Sequence, residues 1–114
     1  MIKLKNILLE AYTDSNEYIT NSDIMNGKIK NIKGFELDYD PITKTINWYN
    51  YDNDKVVYAT PNWNGKAGIV DFSDDDGTNF KKLNFSKGKY KGNKQLQLKL
   101  YYEAVKKAIE RISK

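Results

Sequence analysis

From Phe35 onward the chain alternates apolar and polar positions with a period of two. In FELDYD (35–40), Phe35, Leu37 and Tyr39 fall on one side and Glu36, Asp38 and Asp40 on the other, which predicts a half-buried strand. Asp40-Pro41 opens a turn, and TINWYNY (45–51) resumes the pattern with Ile46 and Trp48 alternating against Tyr49 and Tyr51. Asp52-Asn53-Asp54 turns the chain into KVVYAT (55–60), Pro61 ends or edges that strand, and Asn64-Gly65 marks another turn. AGIVDFS (67–73) and TNFKKLNF (78–85) flank DDDG, whose Asp76-Gly77 suits the tight turn of a hairpin. The expected product is an antiparallel β-meander of four to six strands.

The period changes at both ends. From about Gln95 to Ile112, Tyr101, Val105, Ala108, Ile109 and Ile112 form a stripe at helical spacing, and Glu103–Lys107 is a favourable i,i+4 pair. Residues 1–12 place Leu4, Ile7, Leu8 and Ala11 on one face of a short amphipathic helix, marginal by itself. Residues 13–27, rich in Asn, Ser, Thr and Asp, read as a linker, because these side chains compete for backbone hydrogen bonds. Residues 86–94 form a glycine- and lysine-rich loop. The fold class is therefore α+β, with one domain over 28–114: a curved sheet whose inner face is covered by the C-terminal helix.

Charge divides the same chain into blocks. Residues 35–80 carry Lys44, Lys55 and Lys66 against nine acids (Glu36, Asp38, Asp40, Asp52, Asp54, Asp71, Asp74, Asp75, Asp76), a net of −6. Residues 81–114 carry ten lysines and Arg111 against Glu103 and Glu110, a net of +9. The overall +4 conceals this division. A cationic block so dense requires a counter-charge, from the acidic middle or from an external polyanion. Lysine outnumbers arginine 18 to one, and asparagine, isoleucine and tyrosine are abundant, which fits an A/T-rich genome. Codon bias accounts for lysine over arginine, but not for lysines gathering after residue 80.

The chain has no cysteine and no histidine. Disulfides, thiolate metal sites and the Ser-His and Cys-His nucleophile arrangements are thereby excluded, and the spacing of the remaining carboxylates, lysines and tyrosines asks for no catalysis. The expectation is a non-enzymatic protein without a cofactor. The run Asp71–Gly77 invites calcium, yet counting back from Gly77 as the sixth loop position puts Phe72 where a carboxylate is needed, so a solvated turn is the preferred reading and no metal is assigned. No apolar run approaches a membrane span, and no long h-region marks secretion, so a soluble, intracellular protein is expected.

In FKKLNFSKGKYKGNK (80–94) lysines interleave with Phe80, Phe85 and Tyr90, a mixture that suits unpaired nucleic acid, since phosphates attract cations and bases stack on flat rings. The candidate binding residues are Lys81, Lys82, Lys87, Lys89, Tyr90, Lys91, Lys94 and Trp63. Trp48 shares a face with Ile46 and is expected to be buried, whereas Trp63, after Pro61, is expected to be exposed. The bland counterpart is that Phe80, or Leu83 and Phe85, face the core while lysines keep an edge strand soluble. An alternative function follows from the same charges: a structural or interaction module whose acidic sheet meets the basic C-terminal region of the next copy, building a homo-oligomer.

The opening, MIKLKNILLEAYT, resembles the capsid-targeting peptide of internal head proteins in T-even-type tailed phages, and also the start of small reading frames in their marine relatives. Such peptides pair Met with Lys, form a short amphipathic helix and end in Leu/Ile-x-Glu before a small residue. Leu8-Leu9-Glu10 followed by Ala11 fits that pattern, while Ile2 departs from the usual Met-Lys start. The resemblance covers about twelve residues of 114 and implies prohead-protease cleavage between Glu10 and Ala11. In element order alone, the sheet-then-helix body is similar to single-stranded-DNA-binding coactivators of the PC-four type. The combined expectation is a phage accessory protein that binds nucleic acid, single strands above all.

Overall fold

A computed structural model describes residues 17–63 and 65–113. The expected N-terminal helix (1–12), the cleavage pair Glu10–Ala11 and residues 13–16 lie outside the described residues.

The alternation builds one six-stranded antiparallel sheet in sequence order: β1 (Asn31–Ile32), β2 (Phe35–Asp40), β3 (Thr45–Asn50), β4 (Lys55–Pro61), β5 (Ile69–Ser73) and β6 (Asn79–Asn84). The register carries the inner face across neighbouring strands. Leu37 pairs with Trp48 and Trp48 with Val57. Ala59 pairs with Phe72, and Val70 with Leu83. A one-residue slip would turn every one of these side chains to water, so the pattern fixes the pairing. The β5–β6 ladder shifts between Phe72 and Ser73, a bulge that leaves Phe80 beside the ladder, where the Arg111 guanidinium lies 5.0 Å from its ring centroid.

The inner face is closed by helix α2 (Lys94–Ile112), whose buried residues are Gln97, Tyr101, Ala104, Val105, Ala108 and Ile109. The helix starts where the Asn93 side chain accepts from the Leu96 amide at 3.1 Å, occupying one of the donors that a helix N-terminus leaves without a partner. Its far end is tied to the sheet by the Lys55 ammonium, which donates to the Ile112 carbonyl at 2.9 Å. The core gathered between the layers includes Phe35, Ile46, Trp48, Phe72, Phe85, Tyr101 and Ile109.

Residues 17–27 correct the linker expectation. Tyr18, Ile19 and Ile24 are buried, and Asn21–Met25 form a short helix, α1. Thr20 and Asp23 cap it reciprocally: the Thr20 hydroxyl accepts from the Asp23 amide, and the Asp23 carboxylate accepts from the Thr20 amide at 2.9 Å. Two of the polar residues that argued for a linker, Thr20 and Asp23, are therefore capping residues, while Tyr18, Ile19 and Ile24 anchor the segment. Gln97 completes the attachment from α2. Its side-chain oxygen accepts from the Ile19 amide at 2.9 Å, and its nitrogen donates to the carbonyls of Glu17 (2.7 Å) and Tyr90 (2.6 Å).

Candidate nucleic-acid interface

A meander sends alternate connections to alternate ends of its sheet, and here that parity sorts the charges. The pairings Asp40–Thr45, Pro61–Val70 and Ile69–Asn84 bring the loops 41–44, 62–68 and 85–93 to one end. Those loops contain Lys44, Lys66, Lys87, Lys89 and Lys91 and no acid. The pairings Ile32–Phe35, Asn50–Lys55 and Ser73–Asn79 bring the connections 33–34, 51–54 and 74–78 to the other. These contain Asp52, Asp54, Asp74, Asp75 and Asp76, with Lys33 as their one cation. Even Lys33 is engaged, 3.2 Å from Glu110. By their loops the two ends of the sheet are basic and acidic, with Lys55 and Arg111 from strand and helix also lying beside Asp74 and Asp75 at the acidic one.

The candidate residues separate into three groups. Lys87, Lys89 and Lys91 are exposed on the loop that carries a single 3-10 turn (Gly88–Tyr90), and no ion pair engages them among the described residues. Trp63 lies at the same end, 51% exposed, while Trp48 is fully buried, as their positions along the chain predict. Lys81 and Lys82 lie along the edge strand β6 rather than at its end, and Lys82 sits 3.9 Å from Asp71. Tyr90 and Lys94 also carry structural contacts. The Tyr90 ring is half-buried, 6.1 Å from that of Phe85, and its carbonyl holds Gln97. The Lys94 ammonium is paired with Asp23 at 2.9 Å, joining α1 to α2. Lys44 and Lys66 complete the basic end; they escaped sequence reasoning because they sit inside the acidic block, and only hairpin parity reveals them.

The outer face of the sheet carries a groove that the sequence did not announce. The register lays down one polar row, Asp38–Asn47–Tyr58–Ser73. A second row pairs Asp40 with Thr45 and, two strands on, Thr60 with Asp71 and Asp71 with Lys82. Between these strands the β3–β4 ladder ends at Asn47–Tyr58, and beyond it the Thr60 hydroxyl accepts from the Ile46 amide at 3.0 Å. There a side-chain hydroxyl accepts in place of a ladder carbonyl. The groove on this face has a volume of about 500 Å³ and runs from Trp63 and Thr43 at the basic end toward Gly77 and Asn79. That size lies within the range of small-molecule sites.

Electrostatics in the groove are set by acceptors. Asp40 Oδ1 accepts from the amides of Ile42 (2.9 Å) and Thr43 (3.3 Å), and these backbone bonds hold its carboxyl below the usual carboxylate range. The Asn47 Oδ1, buried in the groove floor, has no donor among the described residues. At the acidic end, the oxygens of Asp74, Asp75 and Asp76 approach within 4.8 Å of one another. The turn accounts for part of that approach, since Asp74 Oδ1 accepts from the amides of Asp76 (3.1 Å) and Thr78 (3.0 Å).

No protein-family model, no curated protein and no solved structure matches this chain. No helix among the described residues is long and apolar enough to cross a membrane.

Proposed function

We propose that this chain is a non-enzymatic phage accessory protein that binds nucleic acid, single strands in preference to duplex, through its basic end. The observation that carries the reading is the convergence of Lys44, Lys66, Lys87, Lys89 and Lys91 on one end of the sheet beside the exposed ring of Trp63, in loops without a single acid. Lysines neutralise phosphates and release their counterions, and a half-exposed indole offers a stacking surface to an unpaired base. The test is a titration of labelled single- and double-stranded DNA. With three to five phosphate contacts, single-strand affinity should fall roughly 20- to 100-fold between about 50 and 200 mM salt. Affinity that does not move with salt overturns the reading.

The phage assignment rests on the opening residues. If Glu10–Ala11 is a maturation site, protein from assembled particles begins at Ala11; intact Met1 in mature virions removes that part of the proposal.

One observation favours a second reading. A basic end opposite an acidic end is suited to head-to-tail contacts between copies, a heterologous arrangement that closes into a ring or runs on as a filament. A molecular mass that grows with concentration at low salt, and collapses as salt is raised, would support it.

A further inference from the structure

We infer that the outer-face groove reads one unpaired base of the bound strand and prefers a base with an exocyclic amine, cytosine for example, over thymine or uracil. The inference rests on the nucleic-acid reading and names the chemistry of its ligand.

The groove opens at the basic end, beside Trp63, so a strand whose phosphates lie on Lys87, Lys89 and Lys91 can send a base inward while its charge stays outside. That division is needed, because Asp40 and Asp71 line the groove and would repel a phosphate. The lining sets the carboxylate of Asp40 and the amide oxygen of Asn47 among hydroxyls, such as those of Tyr58 and Ser73, that can donate or accept. Both backbone turn bonds of Asp40 fall on Oδ1 and the Thr43 hydroxyl supplies a third, which still leaves acceptor capacity on a carboxylate with about four lone-pair sites. Asn47 contributes an oxygen with no donor among the described residues, on the strand next to Asp40. The backbone bonds that depress the Asp40 carboxyl keep it an ionised acceptor at neutral pH. A flat ligand that stacks on Trp63 and supplies N–H groups satisfies this lining. Cytosine carries an amine where thymine and uracil carry a carbonyl oxygen, and a carboxylate accepting from the cytosine amine is a standard base contact. Thymine would set its oxygen against the carboxylate.

The test compares short oligodeoxycytidine and oligodeoxythymidine, both unstructured at neutral pH, by anisotropy and by Trp63 emission. Oligodeoxycytidine should bind at least about fivefold tighter, the lower range for one specific base contact. Asp40→Asn keeps the turn acceptor but adds a donor to the side chain, so the preference should shrink toward unity while oligodeoxythymidine binds as well as before or better. Lys87→Glu with Lys89→Glu should weaken both oligomers equally and leave their ratio unchanged. Equal binding of the two by the wild type, or tighter binding of oligodeoxythymidine, overturns the inference and leaves the nucleic-acid reading standing. Failure of both to bind removes the two together. A concentration-dependent change in Trp63 emission without DNA assigns the groove to a second copy and overturns it as well.

Discussion

The indole Nε1 of Trp48 donates to the Tyr101 hydroxyl at 3.0 Å, and that hydroxyl donates in turn to the Ala59 carbonyl at 2.7 Å. One phenol therefore couples α2 to β3 and β4 at the centre of the core, where Trp48, Tyr101 and Ala59 are all fully buried. The helix is held in place by direction as well as by apolar contact, because an unpaired N–H or carbonyl there would be isolated from water.

Tyr101→Phe keeps the ring and removes both bonds, leaving the Trp48 N–H and the Ala59 carbonyl without partners. At about 1–3 kcal/mol per orphaned group, the loss should be roughly 2–6 kcal/mol in urea unfolding. Trp48→Ala, which opens a cavity as well, should cost about 3–5 kcal/mol. A Tyr101→Phe protein as stable as the wild type would show that packing alone sets the helix.

The same burial makes stability fall in alkali. Desolvation pushes the Tyr101 hydroxyl far above the ordinary phenol value, and burial likewise raises Tyr102. Below pH about 10 these groups are protonated in both states and contribute no slope. Above it, the unfolded chain releases protons that the folded chain retains, so stability drops by about 1.4 kcal/mol per pH unit for each retained proton. Tyr101→Phe should remove one proton from that slope, measured as stability against pH between about 10 and 11. An unchanged slope in the variant would refute the assignment.

Much of the fold is legible in the sequence because its signals are local. Ile46 and Trp48 against Tyr49 and Tyr51 give the strand face, and the stripe from Tyr101 to Ile112 gives the covering helix. What escapes is non-local. Thr20 and Asp23 look like linker residues until they cap a helix, and Gln97, one turn before Tyr101, shows its role only through bonds to residues some 80 positions away. The basic end escapes for the same reason: Lys44 and Lys66 join Lys87 only through strand pairing, and Tyr90 and Lys94, plausible contacts in sequence, are drawn into packing and an ion pair. The groove is lined by residues from several strands and loops, Thr60 among them taking a ladder bond that no alternation pattern records.

Gln97→Leu tests the attachment of residues 17–20. Leucine fills a similar space but strands the buried Ile19 amide and releases two carbonyls. The variant should lose about 2 kcal/mol or more, and hydrogen exchange should quicken first at Ile19. Exchange that quickens uniformly across the domain would place Gln97 in the global core instead.

Two glycines separate backbone conformation from space. Gly68 has φ +83°, and a Cβ there would stand 2.8 Å from the buried ring of Tyr18, whereas Gly77 has φ +80° with open space around it. Gly77→Ala should cost only the left-handed backbone penalty, about 1–2 kcal/mol. Gly68→Ala must also displace Tyr18, so it should lose measurably more stability. Equal losses would mean that the Tyr18 contact yields freely.

Trp63 distinguishes a ligand-binding ring from a packing ring, because the second tryptophan is sealed in the core. Trp63→Ala removes a half-exposed side chain beside a turn and should cost little stability, but roughly 1–3 kcal/mol of single-strand affinity if a base stacks on it. Single-stranded DNA should therefore quench emission from the wild type and leave Trp63→Ala unquenched, since Trp48 is out of reach. Changing Lys87, Lys89 and Lys91 to Glu should abolish binding and quenching together while thermal stability stays nearly unchanged, as all three are exposed. Quenching that survives Trp63→Ala would place the nucleic acid on another surface. Binding that survives the triple lysine change would show that the basic end is not where the phosphates lie.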